Sequence, residues 1–130
     1  MANILIVDDD LDTVELSQHL LESAGHLVQT GRNGEEGLAS LCGGPLPDCL
    51  LLDVDMPVLS GPGMAHQMLV HDAGQEKIPI LLVSGRDDLP KVASRVGTPY
   101  FLKKASADYG ATLLELLGRA LRERSEPLPT

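Results

Sequence analysis

A chain of 130 residues with 43% in the hydrophobic set carries one compact domain with its own core and leaves no room for a second. Ten Lys and Arg against nineteen Asp and Glu leave a formal charge of −9, which excludes a nucleic-acid-binding surface and suits a metal cation or a basic partner. With only Tyr100, Phe101 and Tyr109 aromatic, base-stacking platforms and aromatic ligand cages are excluded as well.

The first expected strand is the aliphatic run Ile4–Val7. A helix follows from Leu11 to Ala24, with Val14, Leu20, Leu21 and Ala24 at helical spacing and Gly25 placed as its C-terminal cap. Leu27-Val28-Gln29-Thr30 is more polar and fits an edge strand. Asn33 followed by Glu36 reads as an N-cap with a supporting acid, opening a helix through Leu38 and Leu41 that stops at Gly43-Gly44-Pro45. Cys49–Leu52 is the third strand. Pro62 is tolerated in the first turn of a helix running to Val70, because its missing N–H costs nothing there. Ile78–Val83 is the fourth strand, Leu89–Val96 a short helix ending at Gly97, and Tyr100–Leu102 the fifth strand. Ser106 opens the last helix, with Leu113, Leu114, Leu117 and Leu121 on its apolar side and Arg119, Arg122 and Arg124 near its negative end.

Uninterrupted aliphatic runs are what parallel strands covered on both faces require. Five strands alternating strictly with five helices therefore predict an α/β fold, an open parallel sheet with right-handed crossovers and helices on both faces. The domain is expected over residues 1–124, with 125–130 as a tail or linker stub. Cys42 and Cys49 have no metal-ligand spacing and read as reduced thiols, and no apolar stretch approaches the ~20 residues of a membrane span. With no basic leader either, the sequence predicts a soluble cytoplasmic protein.

Ligands in such folds bind beyond the carboxyl ends of the strands. There the sequence places Asp8-Asp9-Asp10 after the first strand, Asp53-Val54-Asp55 after the third, Ser84-Gly85 after the fourth and Lys103-Lys104 after the fifth. Clustered carboxylates repel unless a cation neutralises them, and a hard divalent ion, Mg²⁺ by preference, takes oxygen ligands of this kind. The bland alternative, that the acids only cap the first helix, suits Asp10 better than Asp8 and Asp9. Beside Mg²⁺, the Asp53 carboxylate can attack phosphorus in line and form an acyl phosphate. Lys103 and the Ser84 hydroxyl are suited to stabilise the charge on the transferred group. Taken singly, Ser84 also reads as a strand-end turn hydroxyl and Lys103 as a solvated lysine.

Four motifs in order resemble the receiver domain of two-component response regulators: Ile4-Leu5-Ile6-Val7-Asp8-Asp9, Asp53-Val54-Asp55-Met56-Pro57 with Gly61, Val83-Ser84-Gly85, and Tyr100-Phe101-Leu102-Lys103. The resemblance implies a flavodoxin-like (βα)5 three-layer sandwich with strand order 2-1-3-4-5. It implies that Asp53 accepts a phosphoryl group from a sensor histidine kinase or a histidine phosphotransfer protein. Mg²⁺ would be held by Asp9, Asp8 and the backbone carbonyl of Asp55. Lys103 would pair with Asp53 or its phosphoryl group, Ser84 would swing towards it, and Tyr100 would turn inward behind Ser84. That rearrangement would be read by a downstream protein on the face of the fourth helix, fifth strand and fifth helix. Asp55 and Arg86 stand at positions that in the family tune phosphate lifetime, and the resemblance implies that role for them. The sequence departs from the pattern after the lysine, where Lys104 stands in place of proline. The competing readings are a receiver that no longer uses phosphate and serves as an interaction module, and a haloacid-dehalogenase-type phosphatase built on Asp53-Val54-Asp55.

Overall fold

In the computed structural model, residues 2–43, 46–70, 78–104 and 106–125 are described. The elements alternate without exception: β1 (Asn3–Val7), α1 (Leu11–Ser23), β2 (Leu27–Gly31), α2 (Gly34–Gly43), β3 (Cys49–Asp53), α3 (Gly61–Val70), β4 (Ile80–Ser84), α4 (Leu89–Val96), β5 (Tyr100–Lys103) and α5 (Tyr109–Ser125). All strand pairs are parallel, and the sheet order is β2-β1-β3-β4-β5. The fold is thus the doubly wound (βα)5 sandwich that the alternation predicts.

Strand pleating divides the aliphatic runs between two cores, because successive side chains point to opposite faces. Ile4, Ile6, Leu51, Leu81, Val83 and Leu102 pack with Leu21, Leu113 and Leu117 of α1 and α5. Leu5, Val7, Leu50, Leu52 and Leu82 pack on the other face with Leu41, Met64, Met68 and Val92 of α2, α3 and α4. Burying both faces is why β3 is closed to solvent along its whole length. β2, at the edge, exposes Leu27, Gln29 and Thr30.

Local signals set the helix ends. Asp10 caps α1, its carboxylate accepting the Asp12 N–H at 3.2 Å and the Thr13 hydroxyl at 2.7 Å. Beyond the other end Gly25 takes the left-handed conformation, φ 92°. Asn33 accepts the Glu36 N–H at 2.9 Å and Glu36 reaches back to the Arg32 N–H at 3.2 Å, a shifted form of the capping box. The last helix starts at Tyr109 rather than Ser106, because Ser106 is spent on a turn whose carbonyl accepts the Tyr109 N–H at 3.2 Å. Its apolar stripe accordingly runs Tyr109, Leu113, Leu117 and Ala120, and Leu114 is left 38% exposed. The expected stop at Gly44-Pro45 and the tail from Glu126 lie outside the described residues.

Candidate functional site

At the carboxyl ends of β1 and β3 the chain buries two acids. Asp8 follows β1 and is 3% exposed, and Asp53 closes β3 and is 4% exposed. With exposed Asp9 they bring one carboxylate oxygen each to within 4.8 Å of one another. The backbone fixes both buried side chains, Asp8 accepting the Asp10 N–H at 2.9 Å and Asp53 the Val54 N–H at 3.0 Å. Gly61 closes the floor, since a Cβ there would lie 2.1 Å from the carbonyl oxygen of Asp53, and its own N–H donates to Val54 at 2.9 Å.

Lys104 offsets part of the charge of these acids. Its ammonium is 3.0 Å from Asp8 Oδ2, 3.3 Å from Asp53 Oδ1 and 4.0 Å from Asp10. Even so, burial, reinforced by the charge of Asp8, pushes the Asp53 carboxyl up to about 7, with Lys104 pulling the other way. Burial also works against the charge on Lys104, but hydrogen bonds and attraction from Asp8 and Asp53 hold its pKa above the ordinary lysine value. Three close oxygens, two of them buried and sharing one ammonium, form a hard donor set still short of positive charge, and they fit a divalent cation.

The lysine in the pocket is therefore Lys104 and not Lys103. Lys103 is the last residue of β5, and its ammonium pairs with Asp87 at 2.7 Å, both side chains largely in solvent. The pleat gives the reason. Tyr100 and Leu102 point into the core shared with α1 and α5, so Phe101 and Lys103 point away from it, and Lys104, just past the strand, turns back over the acids. The same alternation corrects the expectation for Tyr100. It is already buried, its hydroxyl donates to Glu123 of α5, and the Arg119 guanidinium lies 5.9 Å from its ring centre. Ser84 pairs in register with Lys103, and Leu82 with Phe101. The aromatic on the sheet face of Ser84 is thus Phe101, 39% exposed and three residues before Lys104. Phe101 was missed although a second aromatic-x-x-Lys spacing, Phe101 to Lys104, stood one residue along from the first.

Ser84 is buried at the end of β4, where its hydroxyl oxygen accepts the Arg86 N–H at 3.1 Å. Asp55 and Arg86 form an ion pair at 3.1 Å that joins the β3–α3 and β4–α4 loops. Arg86 also grips Asp88 at 2.7 Å. Behind the acids, Tyr109 and Ser17 share a buried hydroxyl–hydroxyl hydrogen bond of 2.8 Å that no motif announced. No described helix is long and apolar enough to cross a membrane.

Residues 4–114 match the family model of the response regulator receiver domain. Protein PilH of Pseudomonas aeruginosa is 36% identical over 123 residues, covering 93% of this chain and 98% of that protein. Response regulator MprA of Mycobacterium tuberculosis is 34% identical over 130 residues, and this chain spans about half of its length, 97% of this chain matching 53% of MprA. Among solved structures, the chemotaxis response regulator CheY4 of Vibrio cholerae superposes with a TM-score of 0.81 at 30% identity, covering 93% of this chain and 99% of that one. The signal receiver domain of a histidine kinase from Syntrophus aciditrophicus gives 0.80 at 27%, covering 100% and 98%.

Proposed function

The chain belongs to the response regulator receiver domain family, and we propose that within it Asp53 is the phosphoacceptor, charged by the phosphohistidine of a sensor histidine kinase or a histidine phosphotransfer protein. A carboxylate oxygen of Asp53 bonds to phosphorus as the P–N bond to the donor histidine breaks, and the imidazole nitrogen keeps that electron pair. The product is an acyl phosphate on a buried, backbone-anchored side chain. The observation that carries this reading is Asp53 itself, sealed at a strand end with Asp8, Asp9 and the ammonium of Lys104 around it.

Asp8, Asp9 and the backbone carbonyl of Asp55 would hold Mg²⁺, which when bound supplies positive charge for the phosphoryl oxygens. Lys104 takes the role expected of Lys103, offsetting the charge of the transferred group from the side of β5. The Ser84 hydroxyl turns its proton towards a phosphoryl oxygen, and Phe101, on the same face of the sheet, moves into the space this opens. The altered face of α4, β5 and α5 is what a downstream protein reads, with neither nucleic acid nor membrane as direct partner. Asp55 and Arg86 tune how long the acyl phosphate lasts. The setting is the cytoplasm, where a kinase and its phosphodonor meet the chain, and the domain catalyses only its own phosphorylation and dephosphorylation. Nothing in the site favours the phosphatase or the phosphate-independent module.

Incubating the chain with Mg²⁺ and acetyl phosphate should add the mass of one phosphoryl group, and Asp53→Asn should abolish the adduct. A wild-type chain that stays unmodified under these conditions overturns the proposal.

A further inference from the structure

Lys104 does not hang freely over the acids. Its side chain, 19% exposed, forms one wall of a cavity of about 110 Å³ whose other walls are Thr13 and Leu16 of α1, Ser106, and Tyr109 at the start of α5. Tyr109 is 6% exposed and also lines a second, tighter space directly behind Asp8 and Asp53, together with Ser17 and Thr13. Tyr109 therefore lines both the cavity that Lys104 walls and the space behind the carboxylates that the lysine head pairs with. Thr13 and Tyr109 line both spaces, and each is tied to a neighbour through its hydroxyl. The Thr13 hydroxyl is engaged by Asp10 at 2.7 Å, and the Tyr109 hydroxyl is tied to Ser17 at 2.8 Å across the α1–α5 contact. Lys104 is held at its head by Asp8 and Asp53, but its four-carbon stem is rotatable and water competes for the ammonium.

We propose that Tyr109, anchored by Ser17, is a positioning residue for phosphoryl transfer: it forms the wall that holds the Lys104 stem and so sets the ammonium between Asp8 and Asp53. This rests on the phosphoacceptor reading and extends it to a residue that touches neither the phosphodonor nor the cation. The consequence is coupling between the α1–α5 contact and the chemistry. Anything that shifts the start of α5 relative to α1 moves the lysine, and small misplacements of a charge-stabilising group cost large factors in rate.

The test is a double-mutant cycle on the full chain, following the rate of phosphoryl-adduct formation from acetyl phosphate and Mg²⁺ by intact mass. Tyr109→Leu should slow adduct formation about tenfold or more, while in a Lys104→Ala background the same change should cost less than about twofold, because the group it positions is gone. A rate unchanged in Tyr109→Leu, or a loss that simply multiplies with that of Lys104→Ala, overturns the proposal. If Tyr109→Leu does not fold, Ser17→Ala with Tyr109→Phe reads the same coupling, since these keep the volume and release only the anchor. A wild-type chain that takes no phosphoryl group at all refutes the acceptor reading instead. In that event the Lys104 ammonium NMR signal decides: slowed in exchange in the wild type and lost in Tyr109→Leu if Tyr109 positions it, indifferent to Tyr109 if not.

Discussion

The Lys104 ammonium lies 3.0 Å from Asp8 and 3.3 Å from Asp53, bridging two buried carboxylates that come from different strands. Removing it leaves two acids in one water-poor pocket with no protein counter-charge, whereas removing Lys103 breaks a pair with Asp87 that is mostly in water. Lys104→Ala should therefore slow phosphoryl transfer to Asp53 by about two orders of magnitude, the scale for loss of one charge-stabilising donor. Lys103→Ala should stay within about twofold of wild type and change stability by no more than about 0.5 kcal/mol. Parallel adduct-formation rates and denaturant midpoints for the two variants check this, and a larger defect in Lys103→Ala would return the role to that residue.

The raised pKa of Asp53 makes stability pH-dependent with a defined sign. The unfolded chain releases this proton near the ordinary carboxyl value of 3.8 and the folded chain near 7. Between those limits the folded state binds more protons, so the contribution of Asp53 is complete below about pH 4 and is lost as pH rises through 7, by up to about 1.4 kcal/mol per pH unit. His26, held below its usual value of 6.5 by burial, acts in the opposite sense below that value, while Asp10, Asp87 and Asp88, all lowered, act only below the ordinary carboxyl range. The difference between wild type and Asp53→Asn isolates the acceptor. Denaturant titrations at pH 4.5, 5.5 and 6.5, conditions set by that window, should show stability of the wild type falling relative to the variant as pH rises. Saturating Mg²⁺ should flatten the difference, because a bound cation displaces the proton.

Much of the site was legible because strand ends are legible. An aliphatic run that stops at an acid announces both a buried strand and the residue at its end, which is why the places of Asp8 and Asp53 can be read from the sequence. β5 was harder for a specific reason. Tyr100-Phe101-Leu102-Lys103-Lys104 contains two aromatic-x-x-Lys spacings offset by one, and the proline that would have chosen between them is missing from both positions, since Lys104 and Ala105 stand there. A one-residue slip exchanges the two faces of a strand, so choosing the first spacing rather than the second brings a different lysine and a different aromatic to the site together. What decides it is tertiary: Tyr100 finds Glu123 and Arg119 on α5, and the pleat does the rest. The Tyr109–Ser17 contact joins residues 92 apart, and nothing local in either segment signals it.

The loop after Asp53 carries strain that a single substitution should release. Val58 has φ 68°, and the Leu59 N–H donates to the Pro57 carbonyl at 2.7 Å, so Val58 is the centre of a three-residue turn with positive φ. A β-branched residue is costly in that conformation, and at 75% exposure its side chain recovers little by packing. Val58→Gly trades relief of strain against a larger loss of backbone entropy on folding. The net expectation is a gain of about 1 kcal/mol, or roughly 3 °C in melting temperature. A calorimetric scan of the variant that shows a lower melting temperature would mean the turn is not under strain.

Gly61 couples the same loop to the acceptor more rigidly. Its backbone packs so closely that a methyl group would sit 2.1 Å from the carbonyl oxygen of Asp53 and 3.0 Å from its carbonyl carbon, and the neighbours struck are main chain rather than the yielding end of a side chain. Relief can come only by moving the start of α3 away from β3 or by twisting the peptide after Asp53, and either shift disturbs the 2.9 Å bond from the Gly61 N–H to Val54. Gly61→Ala should cost about 3 kcal/mol, at the upper end for overpacking a tight site. The chemistry should fail earlier than the fold, because the carboxylate is aimed by the backbone that has to move. Adduct formation measured well below the variant's own melting temperature should fall by about tenfold or more. A variant that is destabilised but phosphorylated at the wild-type rate would show that the loop gives way without turning the acceptor.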